Sequence, residues 1–243
     1  MSLHGISIVI PAYNEEKFLP ATLSSVNDAI RHFHLATGCL AEVIVVNNAS
    51  TDRTHEVALE FGAKVILHEV RNIASVRNAG IRISDYELIV AIDADCSMPA
   101  ESLTKIWKFM QDPNYTGAAL GVSIIADKLA TRVIANFIQT FVGLISGING
   151  AMFVFRKAAA MEVGGFPEDK LIAEDSAFAI KMRRHSQSKG KKFGKLGAVK
   201  IEALDRKDAK LIELPGLILQ ATKALIGIRQ NRKDLKFWYD PDR

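Results

Sequence analysis

The sequence of this 243-residue chain predicts an α/β fold, with a mostly parallel central sheet covered by helices on both faces. Three observations carry that expectation. Short runs in the first half are apolar at every position, which strands buried on both faces require. Between the runs, apolar residues recur at helical spacing, giving the strand–helix alternation of a doubly wound sheet. Polar clusters follow the runs, where such sheets form their ligand crevice, beyond the carboxyl ends of the strands.

The first strand is Ser7-Ile8-Val9-Ile10, stopped by Pro11. Leu19, Leu23, Val26, Ile30 and Phe33 then make an amphipathic stripe at helical period. Val43 to Val46 is the second strand, followed by a helix from about Asp52 to Phe61 that Gly62 closes. Val65-Ile66-Leu67, a helix around Ile73 to Ile83, and Leu88 to Ile92 continue the alternation. The second half is less regular: a strand around Ala118 to Val122, an apolar stripe from Leu129 to Ile148, a strand at Ala151 to Phe155, and a helix from Ser176 to Ser188 led in by Ala173-Glu174-Asp175. Asn136, Gln139, Thr140 and Ser146 interrupt the long stripe, which falls short of a membrane span and reads as a core or partner-facing helix.

Composition sets the outer bounds. With 49% hydrophobic and 24% charged residues, the chain can bury one large core. Cys39 and Cys96 lack metal-ligand spacing, and two cysteines are too few for a disulfide framework, so a reducing compartment is expected. The opening Met1 to Gly5 runs straight into a strand and does not read as a signal peptide. Net charge is only +4, but basic residues gather late, at Lys181, Arg183, Arg184, Lys189, Lys191, Lys192 and Lys195 and again at Arg229, Arg232, Lys233 and Lys236. A solvated cationic surface and a face that meets membrane phosphate both fit that clustering.

The loops at the predicted crevice are Pro11 to Glu16, Asn47 to Asp52, Glu69 to Asn72, and Asp93-Ala94-Asp95. Residues i and i+2 of an extended segment share a side, so Asp93 and Asp95 can face the crevice together. Carboxylate oxygens suit Mg²⁺ or Mn²⁺, usually in company with substrate phosphates. An aspartate-rich turn after a strand is the plainer alternative for a bare D-x-D. Glu174-Asp175 allows the same pair of readings, acids stabilising a first helical turn or a general base. Arg77 offers a guanidinium for a phosphate or for surface ion pairing.

Five ordered segments, IVIPAYNEE (Ile8 to Glu16), VIVVNNASTDRT (Val43 to Thr54), ASVRNAGI (Ala74 to Ile81), LIVAIDADC (Leu88 to Cys96) and GGFPEDKLIAEDSAFAIKMRR (Gly164 to Arg184), resemble family 2 glycosyltransferases of the GT-A fold. The resemblance extends from Ile6 to about Gly197. It implies that Pro11, Tyr13 and Glu15 line the nucleotide base and ribose, that Asn47 stands where the family commonly has a base-binding aspartate, and that Asp52 is the downstream aspartate of the same loop. Arg77 then lies near the diphosphate and Asp93 near the ribose or a metal-bound water, while Asp95 is the metal ligand. Asp175 is the catalytic base with Glu174 beside it, and Gly147 to Gly150 borders the acceptor pocket.

The implied activity is inverting transfer of one sugar from a nucleoside-diphosphate sugar to an acceptor hydroxyl, saccharide or lipid-linked, with Mn²⁺ or Mg²⁺ as cofactor. Polysaccharide, glycolipid or cell-envelope synthesis is the expected setting. One domain is expected over 1–243, with a donor half to about 122 and an acceptor half beyond it that ends in a helical extension. The Q-x-x-R-W motif of processive members is missing at Gln220 to Ala224. The expected place is the cytoplasm, with a peripheral contact at the inner face of the membrane and no nucleic-acid partner. Two rivals remain: a D-x-D phosphatase, whose motif would normally end the first strand, and a catalytically silent binding module. A dinucleotide-binding enzyme would need glycines in Pro11 to Glu16, which has none.

Overall fold

The computed structural model describes residues 3–125, 152–170 and 173–204. The Leu129 to Ile148 stripe, Gly147 to Gly150, Gln220 to Ala224 and the basic residues from Arg229 onward lie outside the described residues. In chain order the elements are β1 (Gly5–Ala12), α1 (Leu19–Thr37), β2 (Leu40–Asn47), α2 (Thr54–Glu60), β3 (Lys64–Leu67), α3 (Ile73–Ile83) and β4 (Leu88–Ala91). There follow β5 (Cys96–Ser97), α4 (Ser102–Met110), β6 (Tyr115–Ile125), β7 (Phe153–Arg156), α5 (Lys157–Glu162), α6 (Glu174–Ser188) and β8 (Lys192–Leu204).

The strands form one sheet in the order β3-β2-β1-β4-β7-β6-β8-β5. Pairs β1/β2, β2/β3, β1/β4 and β6/β8 are parallel; β4/β7, β6/β7 and β5/β8 are antiparallel. The chain winds from β1 outward through β2 to β3, then returns across the sheet to β4 on the other side of β1. That reversal is a topological switch point, and the loops that leave β1 and β4 flank it.

The uninterrupted apolar runs divide between two cores. Ile6, Ile8, Ile10, Val43, Val45, Leu88 and Val90 pack on one face with α1 and α4. Val9, Ile44, Val46, Ile89 and Ala91 pack on the other with α3, α5 and α6. Burial on both faces is what the runs at β1, β2 and β4 predict. β3 departs from it: as the sheet's edge strand it is only half covered, and Leu67 is 69% exposed. The predicted Asp52–Phe61 helix is shorter, Thr54–Glu60, because the Asp52 side chain bonds the first turn from outside. β5, α4, α5 and β8 are additions to the expected elements. Among the described residues, no helix is long and apolar enough to cross a membrane.

One close approach positions the site. Gly80, inside α3, lies so near the sheet that a Cβ there would come within 2.4 Å of Val9 Cγ1 and 3.0 Å of Val46 Cγ2. Helix propensity alone favours alanine over glycine by about 1 kcal/mol at such a position. The collision reverses the sign, since forcing a methyl into a packed contact costs about 1–3 kcal/mol. Gly80→Ala is therefore expected to lower stability in chemical denaturation; a gain in stability would show that α3 can move off the sheet at no cost.

Candidate active site

The loops after β1 and β2 are tied together by their own polar groups. The Asn14 N–H donates to Ser50 Oγ (3.1 Å), and Asn14 Oδ1 accepts from the Thr51 N–H (2.9 Å). The Glu15 N–H donates to Thr54 Oγ1 (2.7 Å), whose hydroxyl donates in turn to Asp52 Oδ1 (2.5 Å). Asp52 Oδ2 accepts from the Glu16 N–H (3.1 Å), and Glu16 Oε2 from the Arg53 N–H (3.1 Å). Burial opposes ionisation of Asp52, but the Thr54 hydroxyl and the Glu16 and Thr54 N–H groups outweigh it and hold its carboxyl below the usual range. Asp52 thus spans two loops. Asn14 (φ 53°) and Ala49 (φ 52°) both sit in the left-handed region, an uncommon conformation for residues other than glycine.

Asn47 ends β2 with 2% exposure, and its Oδ1 accepts from the Ser50 N–H (2.9 Å). Since an N–H can only donate, that bond orients the amide, with oxygen toward Ser50 and NH₂ away from it. Asn48 donates to the carbonyls of His68 (2.7 Å) and Val70 (2.9 Å), joining the loop after β3 to the group. Pro11 is the buried penultimate residue of β1, in register with Val46. Tyr13, half-buried, carries the Arg71 guanidinium over its ring at 4.0 Å and accepts a hydrogen bond from it at the hydroxyl. The Glu15 side chain is buried.

The segment after β4 shows the alternation that the D-x-D spacing predicts. Ala94 and Cys96 are buried in the core, whereas Asp93 and Asp95 are half-exposed on the opposite side. Thr22 of α1 fixes it from beneath, donating to the Ala94 carbonyl (2.7 Å) and accepting from the Cys96 N–H (3.1 Å). Ser25 accepts from the Met98 N–H (3.0 Å). Cys96 is a packed residue, and its thiol donates to Asp95 Oδ1 (3.6 Å). Burial, with Asp93 and Asp95 alongside, raises its pKa, so it stays a thiol.

α3 connects this segment to the acids of α6. Arg77 is 4% exposed; its Nη2 donates to Asp93 Oδ1 (2.7 Å) and its Nη1 to Glu174 Oε1 (2.5 Å). The guanidinium also lies 5.4 Å from the centroid of Phe166, which stacks on Phe178 at 4.0 Å. Burial alone would weaken the guanidinium's hold on its proton, but Asp93, Glu174 and Asp175 together reverse the effect and raise its pKa. Burial pushes Glu174 up to about 7; Arg77 opposes the rise and Asp175 adds to it. Burial likewise raises Asp175, against Arg77 and the Ser176 N–H, which donates to Asp175 Oδ1 at 2.6 Å. The residue that leads into this helix, Ala173, is left-handed at φ 58°.

Two asparagines anchor Phe166 and Glu168, ahead of α6. Asn78 donates to the Phe166 carbonyl and to Glu168 Oε1 (both 2.9 Å), and its Oδ1 accepts from the Phe166 N–H (2.8 Å). Gly165, at φ 69°, packs against that amide so closely that a Cβ would lie 2.4 Å from Asn78 Oδ1. Asn72 donates to the Glu168 carbonyl (2.8 Å) and caps α3 by accepting from the Ser75 N–H (3.0 Å). Further along α6, His185 pairs with Glu162 at 3.0 Å.

Sequence reasoning missed Thr22, Asn48, Thr54, Asn72 and Asn78. Thr22 and Thr54 had a visible signal, a polar residue at a core position, for both are fully buried. Asn72 had another, an asparagine directly before a helical stripe. Among the described residues, no group of three or more His, Cys, Asp or Glu could hold a metal by itself.

The Glycosyl transferase family 2 profile matches residues 7–164. Poly-beta-1,6-N-acetyl-D-glucosamine synthase of Staphylococcus aureus (strain COL) is 30% identical over 198 residues, 74% of this chain and 46% of the relative. The chain thus spans about half the length of the curated relatives it matches. Among solved structures, the mannosyltransferase PcManGT from Pyrobaculum calidifontis, in complex with GDP-Man and Mn²⁺, superposes with TM-score 0.67 at 20% identity over 95% of this chain and 66% of that one. The M. tuberculosis glucosyl-3-phosphoglycerate synthase, with Mn²⁺, UDP and glucosyl-3-phosphoglycerate, gives 0.64 at 16% identity over 93% and 80%. S. aureus TarS 1-349 with UDP-GlcNAc gives 0.60 at 18% identity over 90% and 66%. With this profile match over residues 7–164 and this sheet order, the chain belongs to Glycosyl transferase family 2 and has the GT-A fold.

Proposed function

We propose that the chain moves one sugar from a nucleoside-diphosphate sugar to an acceptor hydroxyl, with inversion at the anomeric carbon. One observation carries the reading: Arg77 joins the segment that bears Asp93 and Asp95, 16 residues on in sequence, to the helix turn that bears Glu174 and Asp175, 97 residues on. A D-x-D turn that only ends a strand needs no such partner. The donor nucleotide lies over the loops after β1 and β2, where Pro11, Tyr13 and Glu15 line base and ribose, with Asn47 and Asp52 shaping the second wall. Arg77 balances charge beneath the diphosphate and Asp93 faces the ribose side.

Asp175 is the general base. Its half-buried carboxylate takes the proton of the acceptor hydroxyl as that oxygen attacks, an assistance worth about 10²–10⁴-fold. Glu174, held by Arg77, keeps Asp175 in place. The donor set suits a hard divalent ion: Asp95 presents oxygen ligands on the half-exposed side, and one or two carboxylates with substrate phosphates is the ordinary regime for Mg²⁺ and Mn²⁺. When bound there, the ion would offset charge growing on the departing nucleoside diphosphate. Mn²⁺ in the structures of PcManGT and of the glucosyl-3-phosphoglycerate synthase supports this choice.

The donor-binding half runs to about residue 122 and the acceptor half follows. Cell-envelope polysaccharide or glycolipid synthesis is the setting we infer, at the cytoplasmic face of a membrane. Lys181, Arg183, Arg184, Lys189, Lys191, Lys192 and Lys195 are all exposed, which supports a peripheral contact with anionic headgroups. Vesicles with and without anionic lipid test it: equal co-sedimentation with both would remove the contact.

Three outcomes test the reaction. Asp95→Ala is expected to abolish Mn²⁺-dependent binding of nucleoside diphosphates in calorimetry, while Asp175→Asn leaves binding intact and lowers kcat by about 10²–10⁴-fold. Near-normal turnover by Asp175→Asn would remove the base assignment. Second, a calorimetric screen of uridine and guanosine diphosphate sugars with Mn²⁺ should give one clear donor base. Third, Asp175 must be ionised to accept a proton, and its pKa is raised, so kcat should fall on acidification before the ordinary aspartate range is reached. A flat profile down to that range would contradict the environment described for Asp175.

A further inference from the structure

We propose that Arg77 is a positioning residue that couples the donor-side carboxylate Asp93 to the base-bearing turn, and so sets where Asp175 stands when the acceptor arrives. The inference rests on the glycosyl-transfer reading and assigns Arg77 work beyond proximity to a diphosphate. Geometry carries it. The side chain is 4% exposed, and its two terminal nitrogens point at different acids, Nη2 at Asp93 (2.7 Å) and Nη1 at Glu174 (2.5 Å). A planar fork that spends one nitrogen on each of two elements fixes their separation and relative orientation, as a single ammonium cannot. Glu174 is the residue directly before Asp175 in the first turn of α6. Ala173 just ahead of it occupies a left-handed conformation that persists only where its surroundings impose it, and the Arg77–Glu174 bond is one such constraint.

The arrangement has an electrostatic consequence. Among the described residues, the charged groups that act on the Asp175 carboxyl are Arg77 of α3, Asp93 of the β4–β5 segment and Glu174 of its own helix. Arg77 is the one cation of that set, and it favours the ionised carboxylate that a general base requires. Geometry and charge are separable by substitution. Arg77→Lys keeps the charge and loses the bridge. Arg77→Gln loses the charge as well, and Glu174→Gln removes one charge from the pair while leaving an acceptor for the guanidinium.

In steady-state kinetics, Arg77→Lys is expected to lower kcat on the order of 10²-fold, with the donor KM changed little and the acid limb of the kcat–pH profile in place. Arg77→Gln should lower kcat at neutral pH further and move the acid limb to higher pH, because the carboxylate loses the charge that favours ionisation. Glu174→Gln should retain the fold and show an intermediate kcat loss. Carboxyl ¹³C titration of Glu174 and Asp175 in the protein without donor should show the same Arg77-dependent displacement. If Arg77→Lys raises donor KM and spares kcat, Arg77 is a donor-binding group and the proposal fails. If the variants lose only stability, with unaltered profile and carboxyl titration in the folded protein, its role is structural and the proposal also fails. If the wild type transfers no sugar from any donor, the functional reading falls, while the carboxyl titration still decides whether Arg77 governs the acids.

Discussion

A guanidinium removed almost wholly from water, at 4% exposure, sets the terms for the rest of this structure. Such a charge is tolerable only when paired and hydrogen-bonded, and removing one partner from a buried network of this kind typically costs about 3–5 kcal/mol. Two partners are therefore needed within reach of one side chain, and they come from segments far apart in the chain, the β4–β5 connection and the start of α6. Their neighbours Asp95 and Asp175 are half-buried and stand at the same edge of the sheet. A demand for charge balance in the interior thus brings together two acid-bearing segments at the sheet edge.

The bridge works only because α3 is held rigidly at the proper depth. Gly80 lets the helix settle on β1 and β2, where any side chain would collide with Val9. At the other end, Asn72 caps the helix and reaches the Glu168 carbonyl, and Asn78 closes three hydrogen bonds around Phe166 and Glu168. Phe166 then carries the contact inward, stacking on Phe178 of α6 and lying under Arg77. Aromatic pairs of this sort add about 0.5–1.5 kcal/mol beyond their burial and, more usefully here, fix orientation. The turn that bears Glu174 and Asp175 is thereby fastened from α3 by a charge, two amides and a ring.

Much of this architecture was legible in the sequence, for a definite reason. Ile8–Ile10, Val43–Val46 and Leu88–Ala91 are buried on both faces of the sheet, so these runs are apolar at every position and declare themselves. The D-x-D pair was legible too, because the alternation of Asp93, Ala94, Asp95 and Cys96 is a property of the backbone. β8 was not. Its Lys192, Gly194, Lys195, Gly197 and Lys200 match no strand pattern, and the segment is a strand because it pairs along β6 over most of its length. The partnership of Arg77 was illegible for a related reason. An arginine within a helical stripe reads as an outward-facing charge, and only the tertiary arrangement turns it toward two acids.

The loops over the sheet edge follow a different logic from the bridge beneath them. They bury little apolar surface and rest on hydrogen bonds between short polar side chains and backbone N–H groups, with Asp52 and Thr54 at the centre. Asn14, Ala49 and Ala173, the left-handed residues other than glycine among those described, all lie at this edge. Each such residue costs about 1–3 kcal/mol and persists only where its neighbours leave no alternative. Strain gathered at the crevice, and paid for by a rigid sheet and an inward-facing Arg77, is what a site needs if its carboxylates are to be held in place before any substrate arrives. A looser edge would leave that ordering to be done on binding, at the expense of the rate.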